Sequence, residues 1–207
     1  MLSERLRGWT DSLRETVGRT VGRLGMSPNA LTLVGYALNL VVMYVLARGH
    51  LRLGGALVLF AGLFDALDGA VARATHRTST FGAFFDSVMD RYSEATALFG
   101  LLLWYLGSGA YFESALIYVA TVGSLMVSYA RARAEGLQLS CKIGLMTRLE
   151  RVVLLSIGLM ALQVRITLLA LAILANLTAL QRTVHVWRAA RQQASAADDR
   201  DGLRAVQ

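Results

Sequence analysis

The sequence has little of what soluble and secreted domains use to fold. Its 207 residues include one cysteine and one proline, and only 17% are charged. A lone cysteine excludes an internal disulfide, and the chain shows no spacing of cysteine or histidine typical of a zinc site. Hydrophobic residues make up 55% of the chain, and its mean hydropathy is +0.49. This composition predicts an all-α integral membrane protein.

Acidic charge is also scarce, with 14 acidic residues against 21 basic ones and a net charge of +7. The basic residues are dispersed around apolar segments and do not form one face with interleaved aromatic residues, so we expect no nucleic-acid partner. Anionic membrane lipids and phosphate-bearing substrates are the partners that this charge favours.

The apolar segments predict six transmembrane helices, with Ser27 as the cap of the first and Pro28 at its first position. Ser79 or Thr80 is the predicted cap of the third. With the N-terminus in the cytoplasm, the outer loops carry only Arg48, Arg52 and Arg165, which fits the positive-inside rule. Both termini are then cytoplasmic, and Arg165 joins the fifth and sixth spans. The predicted spans are 30–47, 53–73, 81–106, 114–133, 149–164 and 166–187.

Segments of different character flank this predicted membrane domain of residues 27–192. Residues 1–26 place apolar side chains three and four apart with arginines between them, which predicts an amphipathic juxtamembrane helix at the cytoplasmic interface. A helix packed on a soluble partner is the alternative. Residues 193–207 are a polar C-terminal tail, and we expect the chain to be frayed after Arg191.

Four aspartates stand out at the cytoplasmic ends of the second and third predicted spans. Asp65 and Asp68 are three residues apart, and Asp86 and Asp90 are four apart. On helices each pair lies on one face, with side chains about 5–6 Å apart. An ionised carboxylate costs several kcal/mol in hydrocarbon, so these groups need positive partners.

The positive partners are either arginines or metal ions. Arg73, Arg77 and Arg91 are near in sequence, but Glu94 adds further acid one turn beyond the last aspartate. Oxygen ligands without histidine or cysteine fit Mg²⁺ or Mn²⁺, and two such ions can polarise a phosphoryl group. We therefore predict a two-ion centre acting on phosphate. A small cation or proton transporter and a non-catalytic lipid-binding scaffold are the alternatives from other classes.

The aspartate spacing resembles the signature of the CDP-alcohol phosphatidyltransferase family. In that family an alcohol attacks the β-phosphorus of a CDP-linked lipid, releasing CMP and forming a phosphodiester. The resemblance also implies a homodimer. All eight fixed positions match in Asp65-x2-Asp68-Gly69-x2-Ala72-Arg73-x8-Gly82-x3-Asp86-x3-Asp90.

The resemblance implies roles for the matched positions. Asp90 would be both a metal ligand and the general base for the acceptor hydroxyl. The other implied ligands of the Mg²⁺ or Mn²⁺ ions are Asp65, Asp68 and Asp86. The CDP-lipid would contact Asn29, Ala30, Leu31, Thr32, Gly69, Arg73 and Ser79.

Basic residues gather around the inner ends of the fourth and fifth spans, at Arg131, Arg133, Lys142, Arg148 and Arg151. Positive-inside bias and headgroup contact explain them equally well as a pocket for an acceptor phosphate. On the pocket hypothesis, the residues that bind the acceptor phosphate are Arg131, Arg133, Lys142 and Arg151.

Two segments are similar to the prokaryotic phosphatidylinositol-phosphate synthase branch of this family. They are SYARARAEG at 128–136 and TRLERVVLL at 147–155. The similarity implies a prokaryotic cell membrane, CDP-diacylglycerol as donor and myo-inositol phosphate as acceptor. Glycerol 3-phosphate, as in a phosphatidylglycerol-phosphate synthase, is the alternative acceptor.

Overall fold

The computed structural model describes the backbone of residues 27–74 and 79–204, and the side chains of residues 27–65 and 79–193. The predicted amphipathic helix at residues 1–26 lies outside the described residues. The regular structure of the described backbone is helical throughout. Its six helices are α1 (Pro28–Ala47), α2 (Leu51–Ala74), α3 (Thr80–Gly107), α4 (Tyr111–Gly136), α5 (Arg148–Met160) and α6 (Val164–Arg204).

Two serine caps begin α1 and α3 as the sequence predicts. The hydroxyl of Ser27 accepts a hydrogen bond from the backbone N–H of Ala30 at 3.2 Å, and Pro28 follows at the first helical position. The hydroxyl of Ser79 accepts one from the N–H of Gly82 at 2.9 Å. Each cap satisfies a backbone donor that the first helical turn would leave without a partner.

The junction between the last two helices differs from the prediction, because it lies at 161–163 and not at Arg165. Leu162 ends α5 by adopting a φ of 60°. Arg165 is instead in the first turn of α6, where its Nε lies 3.1 Å from Glu113 Oε1 at the start of α4.

The last helix is also longer than predicted. It runs to Arg204, well past Arg191 where we expected frayed chain. The sequence from 188 to 201 is rich in alanine and contains no glycine or proline, so nothing in it stops helix propagation.

Three-residue connections join α1 to α2, α3 to α4 and α5 to α6, as is typical of antiparallel neighbours. In the first of these connections Gly49 has a φ of +79°, and the ring of Trp104 at the end of α3 packs directly against it. The helices that pack most extensively are α1 with α3, α4 with α6 and α2 with α5. Their shared apolar core includes Val42, Leu46, Leu101, Ile117, Leu159 and Leu168.

The bundle contains three helices long and apolar enough to cross a membrane among the described residues, namely α1, α4 and residues 164–193 of α6. The protein is therefore an integral membrane protein. The 13-residue α5 is about 20 Å long, which is less than a hydrocarbon core of about 30 Å. It is held between neighbours: Ser156 donates to the Gly55 carbonyl on α2 at 2.7 Å, and Gly158 lies against Thr167 on α6.

The contact between α1 and α3 requires a glycine at position 100. A Cβ atom at Gly100 would lie 2.5 Å from the carbonyl oxygen of Met43 and 2.8 Å from its Cα, which are rigid backbone atoms. We expect Gly100→Ala to lower the free energy of unfolding by about 1–3 kcal/mol, the range for overpacking. Gly107→Ala is the matched control, because a Cβ at that position of α3 meets nothing within 4 Å. Unfolding in detergent micelles measures both, and equal stability of the two variants would contradict this packing.

Candidate active site

Two of the predicted aspartates converge on one arginine where α2, α3 and α5 meet. Arg148, the first residue of α5, places Nη2 2.6 Å from Asp65 Oδ2 and Nη1 2.6 Å from Asp90 Oδ1. The Asp65 side chain is only 9% exposed and that of Asp90 is 22% exposed. A single guanidinium therefore bonds carboxylates from two helices at once, although its one positive charge balances only one of them.

Further charges and one glycine shape this convergence. The negative charges of Asp65 and Asp86 both act on Asp90, while Arg91 Nη1 lies 4.0 Å from its Oδ2. On the facing helix α1, a Cβ at Gly35 would lie 2.6 Å from Asp65 Oδ1, so only glycine lets this carboxylate reach its position. The site is thus acidic, partly buried and dependent on a nearby cation.

The described side chains contain no group of three or more His, Cys, Asp or Glu residues arranged to hold a metal ion. Asp68, the fourth predicted ligand, lies outside the described side chains, as do Gly69 and Arg73. The donor chemistry nevertheless fits Mg²⁺ or Mn²⁺, because the converging groups are carboxylates that already share one positive partner. The ligand set therefore stays a prediction.

The predicted CDP-lipid segment at the start of α1 lies beside the start of α3. A Cβ at Gly82 would be 2.9 Å from Ser79 Oγ and 3.3 Å from Asn29 Oδ1, so the structure brings these three residues together. The other members of the segment make contacts within α1 or with the core. Leu31 is buried, and the Thr32 hydroxyl donates to the Pro28 carbonyl at 3.2 Å. Ala30 contributes its N–H to the cap of α1.

A cavity of about 870 Å³ adjoins the acidic site between α3, α4, α5 and α6. Asp90 lies on its wall together with five arginines. Two of the predicted acceptor residues, Arg133 and Lys142, are exposed and are not among the described residues that line it. The arginines on the wall are Arg91, Arg131, Arg148, Arg151 and Arg182.

Arg151, a predicted phosphate ligand, has its guanidinium donors engaged within the protein. Its Nε and Nη2 lie 2.6 and 2.7 Å from the two carboxylate oxygens of Glu94, and Nη1 donates to the Met146 carbonyl at 3.2 Å. The side chain is 2% exposed. This geometry favours a role in positioning the cavity wall, and the predicted phosphate contact remains untested.

Arg182 is a residue that the sequence analysis missed. It is buried on α6, where Nη1 donates to the Val127 carbonyl at 2.6 Å and Nε to the Ile143 carbonyl at 2.9 Å. A signal was present, because an arginine inside the apolar stretch LTALQRTVHV is expensive in a membrane and is typical of a functional position.

Comparison with known proteins identifies the family of the chain. The family model for CDP-alcohol phosphatidyltransferase matches residues 25–190. The archaetidylinositol phosphate synthase of Pyrococcus horikoshii is 37% identical over 169 residues, covering 81% of this chain and 87% of the relative.

Two solved structures of a Mycobacterium tuberculosis phosphatidylinositol phosphate synthase share the fold at 28% identity. The structure with CDP-DAG bound has a TM-score of 0.80 and covers 85% of this chain and 94% of that chain. The complex with manganese and citrate has a TM-score of 0.78, with coverages of 84% and 88%. The resemblance found in the aspartate signature is thereby confirmed, and the chain belongs to the CDP-alcohol phosphatidyltransferase family.

Proposed function

We propose that the protein transfers the phosphatidyl group of CDP-diacylglycerol, or the equivalent group of an ether lipid, to inositol phosphate with release of CMP. The observation that carries this proposal is the cavity of about 870 Å³ that joins Asp90 to an arginine-rich wall. The relatives are named as inositol phosphate synthases for two different lipids, archaetidyl and phosphatidyl, which supports a common acceptor. Glycerol 3-phosphate is the alternative acceptor.

The cavity wall favours an acceptor that carries a phosphate. Arg131 is half exposed and its Nε lies 2.8 Å from Glu135 Oε1, a surface pair that an incoming phosphate can replace at little cost. Arg148 and Arg182 add two further guanidinium groups. Guanidinium groups bind phosphate through paired hydrogen bonds, so a neutral acceptor such as serine or free inositol would leave this wall unmatched.

The reaction requires a proton acceptor beside the attacking hydroxyl. Asp90 lines the cavity proposed to hold the acceptor, so its carboxylate would take this role. As the hydroxyl oxygen bonds to the β-phosphorus, its proton passes to the Asp90 carboxylate. The bond from the β-phosphorus to the bridging oxygen breaks, and that oxygen leaves with CMP. Asn29 and Ser79, which lie close together at the starts of α1 and α3, would orient the CDP portion.

A divalent metal is part of the proposal. Manganese in the mycobacterial structure supports Mg²⁺ or Mn²⁺ as cofactor, and two ions are proposed. When bound, the ions supply Lewis-acid polarisation of the transferred phosphoryl group. The residues that would hold them are Asp65, Asp68, Asp86 and Asp90.

The membrane arrangement is proposed on the same basis. All six helices would span or enter the prokaryotic cell membrane, with both termini and the acidic site at the cytoplasmic face and a homodimer as the working unit. The positive-inside distribution supports this orientation, because the site end also carries the arginines of α4 and α5.

CMP release by the purified protein from CDP-diacylglycerol, with Mg²⁺ or Mn²⁺ and each acceptor in turn, tests the function. We expect turnover with inositol phosphate to exceed that with free inositol or serine by about 100-fold, which corresponds to two charged hydrogen bonds of about 1.5 kcal/mol each. Higher turnover with glycerol 3-phosphate than with inositol phosphate would identify glycerol 3-phosphate as the acceptor. Absence of CMP with every acceptor would contradict the proposed transferase activity. Metal-dependent ion flux in proteoliposomes would then favour the alternative function, a cation or proton transporter.

A further inference from the structure

Arg148 occupies the junction between the acidic site and the arginine-rich cavity. Its guanidinium contacts Asp65 and Asp90 at 2.6 Å each, and the same side chain lines the cavity of about 870 Å³. It also borders a second, buried cavity of about 30 Å³. Among the described side chains, Arg148 Nε is the buried polar atom without a hydrogen-bond partner.

A metal ion and this guanidinium would share the same two carboxylates. Asp65 and Asp90 are predicted ligands of a divalent ion, and one oxygen of each already lies 2.6 Å from a guanidinium nitrogen. Two cations bound to the same carboxylates repel each other in a partly buried site. Loading of the metal site therefore favours release of Arg148 from at least one of its two carboxylates.

The direction in which Arg148 can leave is set by its surroundings. It is the first residue of α5, and its side chain is 31% exposed while that of Asp65 is only 9% exposed. Movement toward the small cavity would place the guanidinium among buried residues such as Val58 and Leu155. Movement toward the large cavity places it beside Arg131 and Arg182, where an anion is needed to balance the charge.

We propose that Arg148 is the resident counter-ion of the metal-free site, and that metal binding transfers its guanidinium from Asp65 and Asp90 to the phosphate of the acceptor. The inference rests on the proposed function. It makes metal and acceptor binding mutually reinforcing, because each ligand favours the arrangement that the other needs. Arg148 thus acts in positioning and specificity, and it rejects acceptors that cannot balance the displaced charge.

Binding of Mn²⁺ to the purified protein without substrate, followed by electron paramagnetic resonance of the free ion, tests the first half. We expect Arg148→Gln to bind Mn²⁺ about 10-fold more tightly than the unchanged protein, because the competing cation is gone. Arg91→Gln is the matched control, since Arg91 lies 4.0 Å from Asp90 and we expect less than about 3-fold change. Equal or weaker Mn²⁺ binding by Arg148→Gln overturns the proposal.

Coupling in the unchanged protein tests the second half and does not depend on any variant folding. We expect saturating Mn²⁺ to tighten binding of inositol phosphate by about 10-fold, and saturating inositol phosphate to tighten Mn²⁺ by the same factor. Independent binding of the two overturns the inference. Neither measurement uses turnover, so loss of CMP release with coupling intact would count against the proposed function alone.

Discussion

Replacing Asp90 by asparagine is expected to lower the rate of CMP release by about 10²–10⁴-fold, the range for loss of a general base. The amide keeps the size of the carboxylate but cannot take a proton from the acceptor hydroxyl. The side chain lies on the wall of the cavity of about 870 Å³, away from Asn29 and Ser79, so binding of CDP-diacylglycerol should persist. Initial rates of CMP release check the expected loss of activity, and equilibrium binding of the CDP-lipid checks that substrate binding persists.

The control for this variant is Glu150→Gln, which removes a carboxylate from the exposed first turn of α5, where Glu150 accepts a hydrogen bond from Thr147. Its rate should stay within about 2-fold of the unchanged protein, as is usual for surface changes. Mn²⁺ binding to Asp90→Asn, measured alongside, separates a lost base from a lost metal ligand. If Asp90→Asn turns over at near-normal rate, the base is another group.

Local sequence signals predicted the starts of the helices well. Ser27 with Pro28, and Ser79 before an apolar run, are caps whose hydrogen bonds reach only three residues along the chain. The end of α5 carries no such signal. Leu162 adopts a φ of 60° without being glycine or asparagine, and α5 therefore ends before residues 161–163, ahead of the predicted junction at Arg165.

The sequence predicted the acidic residues of the site individually. It predicted the basic residues only as a group, without showing which arginine pairs with which carboxylate. The aspartates fall at fixed short spacings on two helices, whereas Arg148 meets Asp65 across 83 residues and Arg151 meets Glu94 across 57. Charge alone cannot choose between partners at such separations. The packing of α5 against α2 decides which arginine faces which carboxylate.

The pair of Arg151 and Glu94 leads to the second large expected effect, on stability. Replacing Arg151 by methionine should lower the free energy of unfolding by about 3–5 kcal/mol, because it leaves the partly buried Glu94 carboxylate without its two bonds of 2.6 and 2.7 Å. The Met146 carbonyl loses its donor as well. Chemical unfolding in mixed micelles measures the loss.

A double variant decides whether the loss comes from the uncompensated charge. Arg151→Met combined with Glu94→Leu removes both charges, so it should recover at least about half of the stability lost by the single change. Arg165→Gln is the control, because Arg165 is 64% exposed in its pair with Glu113 and such pairs contribute about 0–1 kcal/mol. If the double variant is instead as unstable as the sum of its single changes, Arg151 stabilises the cavity wall through packing and its bond to Met146. Recovery of stability without recovery of turnover would mean that the Arg151–Glu94 pair is needed to hold the acceptor cavity in its working shape.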